Sequence, residues 1–150
     1  MSIRSRLSLH DLAQGIAKVA AIEGDFVLRS GQVSHSYFDK YSFEGLPHLL
    51  QPLARAMSDL LPPQTEIIAG LELGGIPLVT ALSLKTGLPA AFIRKEAKSY
   101  GTCQAIEGQN IAGKKVTFIE DVISTGGVVT DAHRLATQEG ADILAVVCAI

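Results

Sequence analysis

The chain has 150 residues, 47% of them apolar and 19% charged, with no tryptophan and a formal net charge of −2. That length holds one domain with a real core, and the composition is that of a folded α/β protein rather than a disordered one. The charge balance lacks the basic face that nucleic acid demands, and the apolar stretches fall well short of the ~20 residues that span a membrane.

Two cysteines, Cys103 and Cys148, lie far apart without metal-type spacing and read as free thiols in a reducing compartment, so a cytoplasmic location is expected. His10, His35, His48 and His133 show no ligand spacing either, and are read as surface or capping residues.

At the N-terminal end, Ser8 with Asp11 predicts a helix cap. Leu9, Leu12, Ile16, Val19 and Ala20 recur at helical spacing, and the helix is expected to stop near Gly24. Residues 25–40 alternate around Gly31 and predict a pair of short strands. Their aromatics, Tyr37 and Phe38, either pack on a core or cover a flat heterocycle. Pro47 starts a second helix with an apolar face of Leu49, Leu50, Leu53, Ala54, Met57, Leu60 and Leu61, ended by Pro62 and Pro63.

A buried strand over 67–69 then closes into Gly70-Leu-Glu-Leu-Gly-Gly-Ile-Pro. Pro77 suits the first turn of a third helix, whose inward face is read as Leu78, Val79, Ala81, Leu82 and Leu84, with Gly87 and Pro89 stopping it. Gly74 and Gly75, at the junction, make a candidate anion cradle. The strand over 90–93 leads into Arg94-Lys-Glu-Ala-Lys-Ser-Tyr-Gly-Thr, and from there to Gly113 no periodicity is found. A connection of that length is a binding loop, a lid or a disordered segment. Arg94, Lys95 and Lys98 are either solvated charge or cations for an anion held opposite the glycine loops, carried by a loop able to close over it.

The stretch 115–129 organises the rest. Val116, Phe118 and Ile119 form a buried strand that ends in Glu120 and Asp121, followed by Ser124, Thr125, Gly126 and Gly127 and then a helix to about Glu139 with Gly140 as its cap. Glycines, hydroxyls and free helix N–H groups suit a phosphate. Adjacent carboxylates repel that phosphate but suit sugar hydroxyls or a magnesium ion. A last buried strand is expected over 142–150. An ending on apolar residues reads as a truncation.

The run Phe-Ile-Glu-Asp-Val-Ile-Ser-Thr-Gly-Gly resembles the phosphoribosyl-pyrophosphate (PRPP) signature of the type I phosphoribosyltransferases. Neither a Walker loop nor a Gly-x-Gly-x-x-Gly fingerprint is present. The likeness extends over nearly the whole chain and is strongest to orotate-using members, through Phe26-Val-Leu-Arg-Ser-Gly, Ser36-Tyr-Phe-Asp, the 70–77 loop and Arg94-Lys-Glu-Ala-Lys-Ser-Tyr-Gly.

The resemblance implies a central parallel sheet flanked by helices, with an N-terminal hood over about 1–45 and a core over about 46–150. It implies PRPP contacts from Arg29, Arg94, Lys95, Lys98, Glu120, Asp121, Val122, Ile123, Ser124, Thr125, Gly126, Gly127 and Val128. Orotate contacts would come from Tyr37, Phe38 and Ser124, and a pyrophosphate loop from Leu73, Gly74 and Gly75. Lys98 would be the catalytic residue, Mg2+ would arrive with PRPP, and loop 94–113 would complete the neighbour's site in a homodimer.

The chain departs from the family pattern in several places. Arg29 stands where lysine is common, Gly74 where many members carry a lysine, and Tyr100 where a histidine is usual. The family's orotate-binding arginine would follow Ile150. A phosphoribosyltransferase for another base, such as a purine, or a PRPP-binding regulatory protein without catalysis are the alternative readings.

Overall fold

The computed structural model describes residues 7–28, 30–96 and 104–150. The chain divides into two compact units, Met1–Leu53 and Ala54–Ile150.

In the first unit, helix α1 (Leu9–Ala20) is capped by Ser8, whose hydroxyl oxygen accepts the Asp11 N–H at 3.1 Å. It buries Leu12, Ile16 and Ala20 and ends at Ala20, earlier than expected, because Ala21 is already extended. Gly24 therefore falls inside strand β1 (Ala21–Val27), at an irregularity in its antiparallel pairing with β2 (Val33–Phe38). Gly31, with φ 83°, makes the turn between them. A short helix α2 (Lys40–Glu44) follows, unforeseen from the sequence; Asp39 caps it, accepting the Tyr41 N–H at 3.2 Å and the Ser42 hydroxyl at 2.6 Å.

Helix α3 (Pro47–Ser58) begins at the expected proline but does not reach Leu60 and Leu61. Single turns bonding Asp59 to Ala56 and Leu60 to Met57 end it, and Leu60 is 65% exposed rather than part of the apolar face.

The second unit is a five-stranded sheet in the order β5-β4-β3-β6-β7. Strands β3 (Ile67–Leu71), β4 (Ala90–Ile93), β6 (Lys115–Glu120) and β7 (Asp142–Cys148) pair in parallel, and β5 (Ile106–Gly108) pairs antiparallel with β4. Helix α4 (Gly75–Thr86) joins β3 to β4, and α5 (Gly127–Gln138) joins β6 to β7.

Alternate strand residues face alternate sides. Ile67, Ala69 and Leu71, with Val116 and Phe118, pack with Ala132 and Ala136 of α5 in one core cluster. Leu78, Val79 and Leu82 are the buried apolar residues of α4, and a Cβ added to Gly70 would meet Val79. Leu84 is 86% exposed, against expectation: two residues past Leu82 on a helix, it points away from the face that Leu82 buries. Thr117, fully buried, is satisfied by the Thr65 hydroxyl at 2.8 Å.

Two further differences concern the edges. The supposedly aperiodic stretch after Arg94 contains β5, whose three residues are too few to show a period. β7 is apolar after Asp142 but only half-buried along most of its length, since it is the sheet's outer strand. At the opposite end of the strands, Glu66 accepts the Lys115 N–H at 2.9 Å and the Lys114 ammonium at 3.2 Å, which hold its carboxyl below the usual range. Phe118→Ala would empty the centre of the core cluster, where Phe118 is fully buried. A loss of about 3–5 kcal/mol is expected, read as a lower urea midpoint with an unchanged slope.

Candidate active site

The strand order decides where a ligand can sit. From β3 the chain crosses to β4 on one side, and from β6 it crosses to β7 on the other. Right-handed crossovers then place α4 and α5 on opposite faces of the sheet and leave a crevice at the carboxyl ends of β3 and β6. The two βα loops singled out in the sequence flank that crevice.

Glu120 is the last residue of β6 and Asp121 the next. Both are buried, Asp121 completely. The Asp121 N–H donates to Glu120 Oε1 at 3.0 Å, and the Val122 N–H donates to Asp121 Oδ1 at 2.7 Å. The carboxylates are thus held by the turn they begin. Ile123, Ser124, Thr125, Gly127 and Val128 are exposed, with Val122 and Gly126 partly so. Gly126 adopts φ 77° immediately before α5, and its carbonyl accepts from Thr130 rather than facing the loop. The N–H groups that open α5 are left without helical partners, as an anion requires.

The β3–α4 turn lies against this acidic pair. A Cβ on Gly75 would strike the Ile119 carbonyl, and one on Gly74 would strike the Asp121 carboxylate. Leu73 is 60% exposed beside them, and the Glu72–Leu73 peptide is cis.

Glu72 escaped the sequence reading. Its N–H donates to the Ile93 carbonyl at 2.9 Å, and its Oε1 accepts the Lys95 N–H. It therefore ties the 72–75 turn to the start of the cationic loop. The only local signal was an acid inside an otherwise apolar, glycine-rich turn. Arg94 is anchored by its N–H to the Ala105 carbonyl at 2.8 Å, and its Nε donates to the Glu96 carbonyl at 3.3 Å. Lys95 is exposed.

Glu72→Ala is expected to cost between about ten- and a hundredfold in turnover by releasing Lys95. Glu72→Gln, whose amide oxygen still accepts, should retain most of it; steady-state kinetics of the two variants checks this.

Arg29, Lys98, Tyr100 and Cys103 lie outside the described residues. Tyr37 and Phe38, consecutive on β2, leave opposite faces of the hairpin. The Tyr37 ring lies 5.4 Å from that of Phe26, and the Phe38 ring 6.4 Å from that of Phe43.

No protein-family model matches the chain. It is 53% identical over 139 residues to the orotate phosphoribosyltransferase of a Nocardioides species, covering 93% of this chain and 78% of that protein. It is 41% identical over 133 residues to that of Methanopyrus kandleri, covering 88% and 72%. Its fold matches the crystal structure of Mycobacterium tuberculosis orotate phosphoribosyltransferase with a TM-score of 0.79 at 28% identity, over 91% of this chain and 79% of that one.

The chain belongs to the orotate phosphoribosyltransferase family.

A type I phosphoribosyltransferase fold, expected from the signature, is what the sheet and its flanking helices form. For an orotate phosphoribosyltransferase the crevice is also better suited chemically than the hollow of about 480 Å3 beside β5 and the C-terminal half of α5. Gln104, Gln109, Asn110, Leu135 and Glu139 line that hollow, with no cation among its lining residues. Cys148, paired in register with Glu120, is a free thiol donating to the Ile150 carbonyl at 3.0 Å. Burial pushes its pKa up, and the neighbouring Glu120 and Asp121 charges add to the rise against the lowering by its backbone hydrogen bonds. No helix among the described residues is long and apolar enough to cross a membrane.

Proposed function

We propose that this crevice transfers the 5-phosphoribosyl group from PRPP to N1 of orotate, giving orotidine 5′-phosphate and pyrophosphate, a step of pyrimidine nucleotide synthesis. The observation that carries the reading is the juxtaposition, at one switch point, of a buried acidic pair, a hydroxyl-glycine turn opening α5, and a second glycine turn opening α4. Membership of the orotate phosphoribosyltransferase family supports orotate as the base.

Glu120 and Asp121 accept hydrogen bonds from the ribose hydroxyls. Val122, Ile123, Ser124, Thr125, Gly126, Gly127 and Val128 wrap the 5′-phosphate with backbone N–H groups and two hydroxyls. Leu73, Gly74 and Gly75 shape the pyrophosphate side, with Arg94, Lys95 and Lys98 supplying positive charge and Arg29 adding to it. Of the hood residues assigned to the base, Tyr37 contacts it together with Ser124, while Phe38, on the other face of the hairpin with its ring beside Phe43, supports that strand.

As the bond to pyrophosphate lengthens, the ribose ring gains positive charge, which the two carboxylates favour, while the lysines favour the departing anion. Both effects grow towards the transition state, so they raise turnover rather than ground-state affinity alone.

No cluster of three or more His, Cys, Asp or Glu side chains able to hold a metal exists among the described residues. The hard oxygens of Glu120 and Asp121 fit Mg2+ chemically, and PRPP oxygens would complete its coordination. When bound, Mg2+ would neutralise charge between the pyrophosphate and ribose oxygens. A cytoplasmic homodimer, with loop 94–113 reaching the partner's site, completes the proposal.

Loss of orotate absorbance in the presence of PRPP and Mg2+ tests the reading. Turnover with a purine and none with orotate would replace it by a purine enzyme, and PRPP binding without turnover of any base by a regulatory protein.

A further inference from the structure

We propose that the backbone of Ile150 is a positioning element for the substrate turn, carrying the β6–β7 ladder past both strands so that the turn is clamped as far as Ile123 and opens only at Ser124. This deepens the reading of residues 120–128 as the ribose and 5′-phosphate site, and rests on it. Cys148 pairs with Glu120 in the parallel register of β7 with β6, which sets Ile150 opposite Val122 two residues further on. The bonds follow that register. The Ile150 N–H donates to the Asp121 carbonyl at 3.0 Å, and the Ile123 N–H donates back to the Ile150 backbone oxygen at 3.0 Å. The Ala149 N–H adds a bond to the Glu120 carbonyl at 3.2 Å.

The clamp divides the N–H groups of the turn into two sets. That of Asp121 goes to Glu120 Oε1, that of Val122 to Asp121 Oδ1 and that of Ile123 to Ile150. From Ser124 to Gly127 no backbone N–H donates to another described residue. The first set is spent on holding the acids, and the second is left for an anion.

A turn of this kind needs holding. Asp121 is fully buried beside Glu120, and two carboxylates there repel one another. Burial does little to fix the turn itself, because Ile123, Ser124, Thr125 and Gly127 are exposed. Ile150 grips the chain on both sides of Val122, so the peptide planes that aim the Asp121 carboxylate are kept from rotating. A firmly placed acceptor is what a reaction sensitive to ångström-scale misplacement requires.

Ile150→Pro removes the N–H that the Asp121 carbonyl accepts, whereas Ile150→Ala keeps both backbone bonds and trims a side chain that is already 52% exposed. Both variants are compared with the unaltered protein by PRPP titration and by amide hydrogen exchange. Without ligand, the Ile123 amide should exchange about tenfold or more slowly than those of Ser124, Thr125, Gly126 and Gly127. PRPP should slow those four and change Ile123 far less. Ile150→Ala is expected to bind PRPP within about twofold of the unaltered protein. Ile150→Pro is expected to bind it about tenfold or more weakly and to speed exchange at Ile123 while the amides of β3 stay protected. Faster exchange across β3 as well would mark general loosening and overturn the positioning role. An Ile123 amide as fast as its neighbours, or equal PRPP affinity in the two variants, also overturns it. Should Ile150→Pro fail to fold, the exchange order in the unaltered protein and its change with PRPP decide alone. An unaltered protein that binds no PRPP removes the proposed function instead, while exchange in the free protein still decides the clamp.

Discussion

Asp121→Asn is expected to lose about a hundredfold or more in kcat/KM for PRPP while unfolding no earlier than the unaltered protein. The two halves of that expectation have one cause. Asp121 is fully buried at the end of a parallel strand, where a carboxylate loses its hydration and gives little back to folding. A neutral isostere of the same shape fills the space beside Gly74 and relieves the desolvation. What it cannot do is oppose the positive charge that develops on a ribose ring, or accept from two hydroxyls with a full negative charge. Retaining such a group against stability is the trade expected of a functional site. Chemical denaturation alongside steady-state kinetics checks both halves; an Asn variant with undiminished kcat/KM would remove Asp121 from the chemistry.

Lys98→Ala is expected to lower kcat by about a hundred- to a thousandfold while changing PRPP affinity much less. Pyrophosphate carries its largest extra charge only while it leaves, so a cation that meets it there acts chiefly on the transition state. The loop's start is held in place by described bonds: Glu72 accepts the Lys95 N–H, and Arg94 donates to the Ala105 carbonyl. Lys98 follows within a few residues of that anchor. Single-turnover rates and PRPP titration separate the two effects, and an unchanged rate would take the loop out of the mechanism.

The elements that could be read directly were those with a long enough period or an unambiguous cap. Ser8 begins α1, Pro47 begins α3, Gly87 ends α4 with φ 77°, and the apolar run from Val116 to Ile119 is a buried strand. Misreadings arose where apolar residues outnumber the face available to them. Leu84 and Leu60 fit a helical spacing loosely and are exposed, while β7 reads as doubly buried and is an edge. β5 and α2 are too short for any period to declare itself.

For the site, the residue types alone carried the chemistry: adjacent acids, hydroxyls and glycines at a strand-to-helix junction suit a sugar phosphate wherever the chain folds. Sequence also fixed which helix each loop would open, because those relations are local. Only the tertiary structure put β3 beside β6, brought Glu72 to Lys95, and set Gly74 against Asp121 across 47 residues of chain. Strand order and steric fit depend on which distant segments share a core, and no local pattern of side chains encodes that pairing.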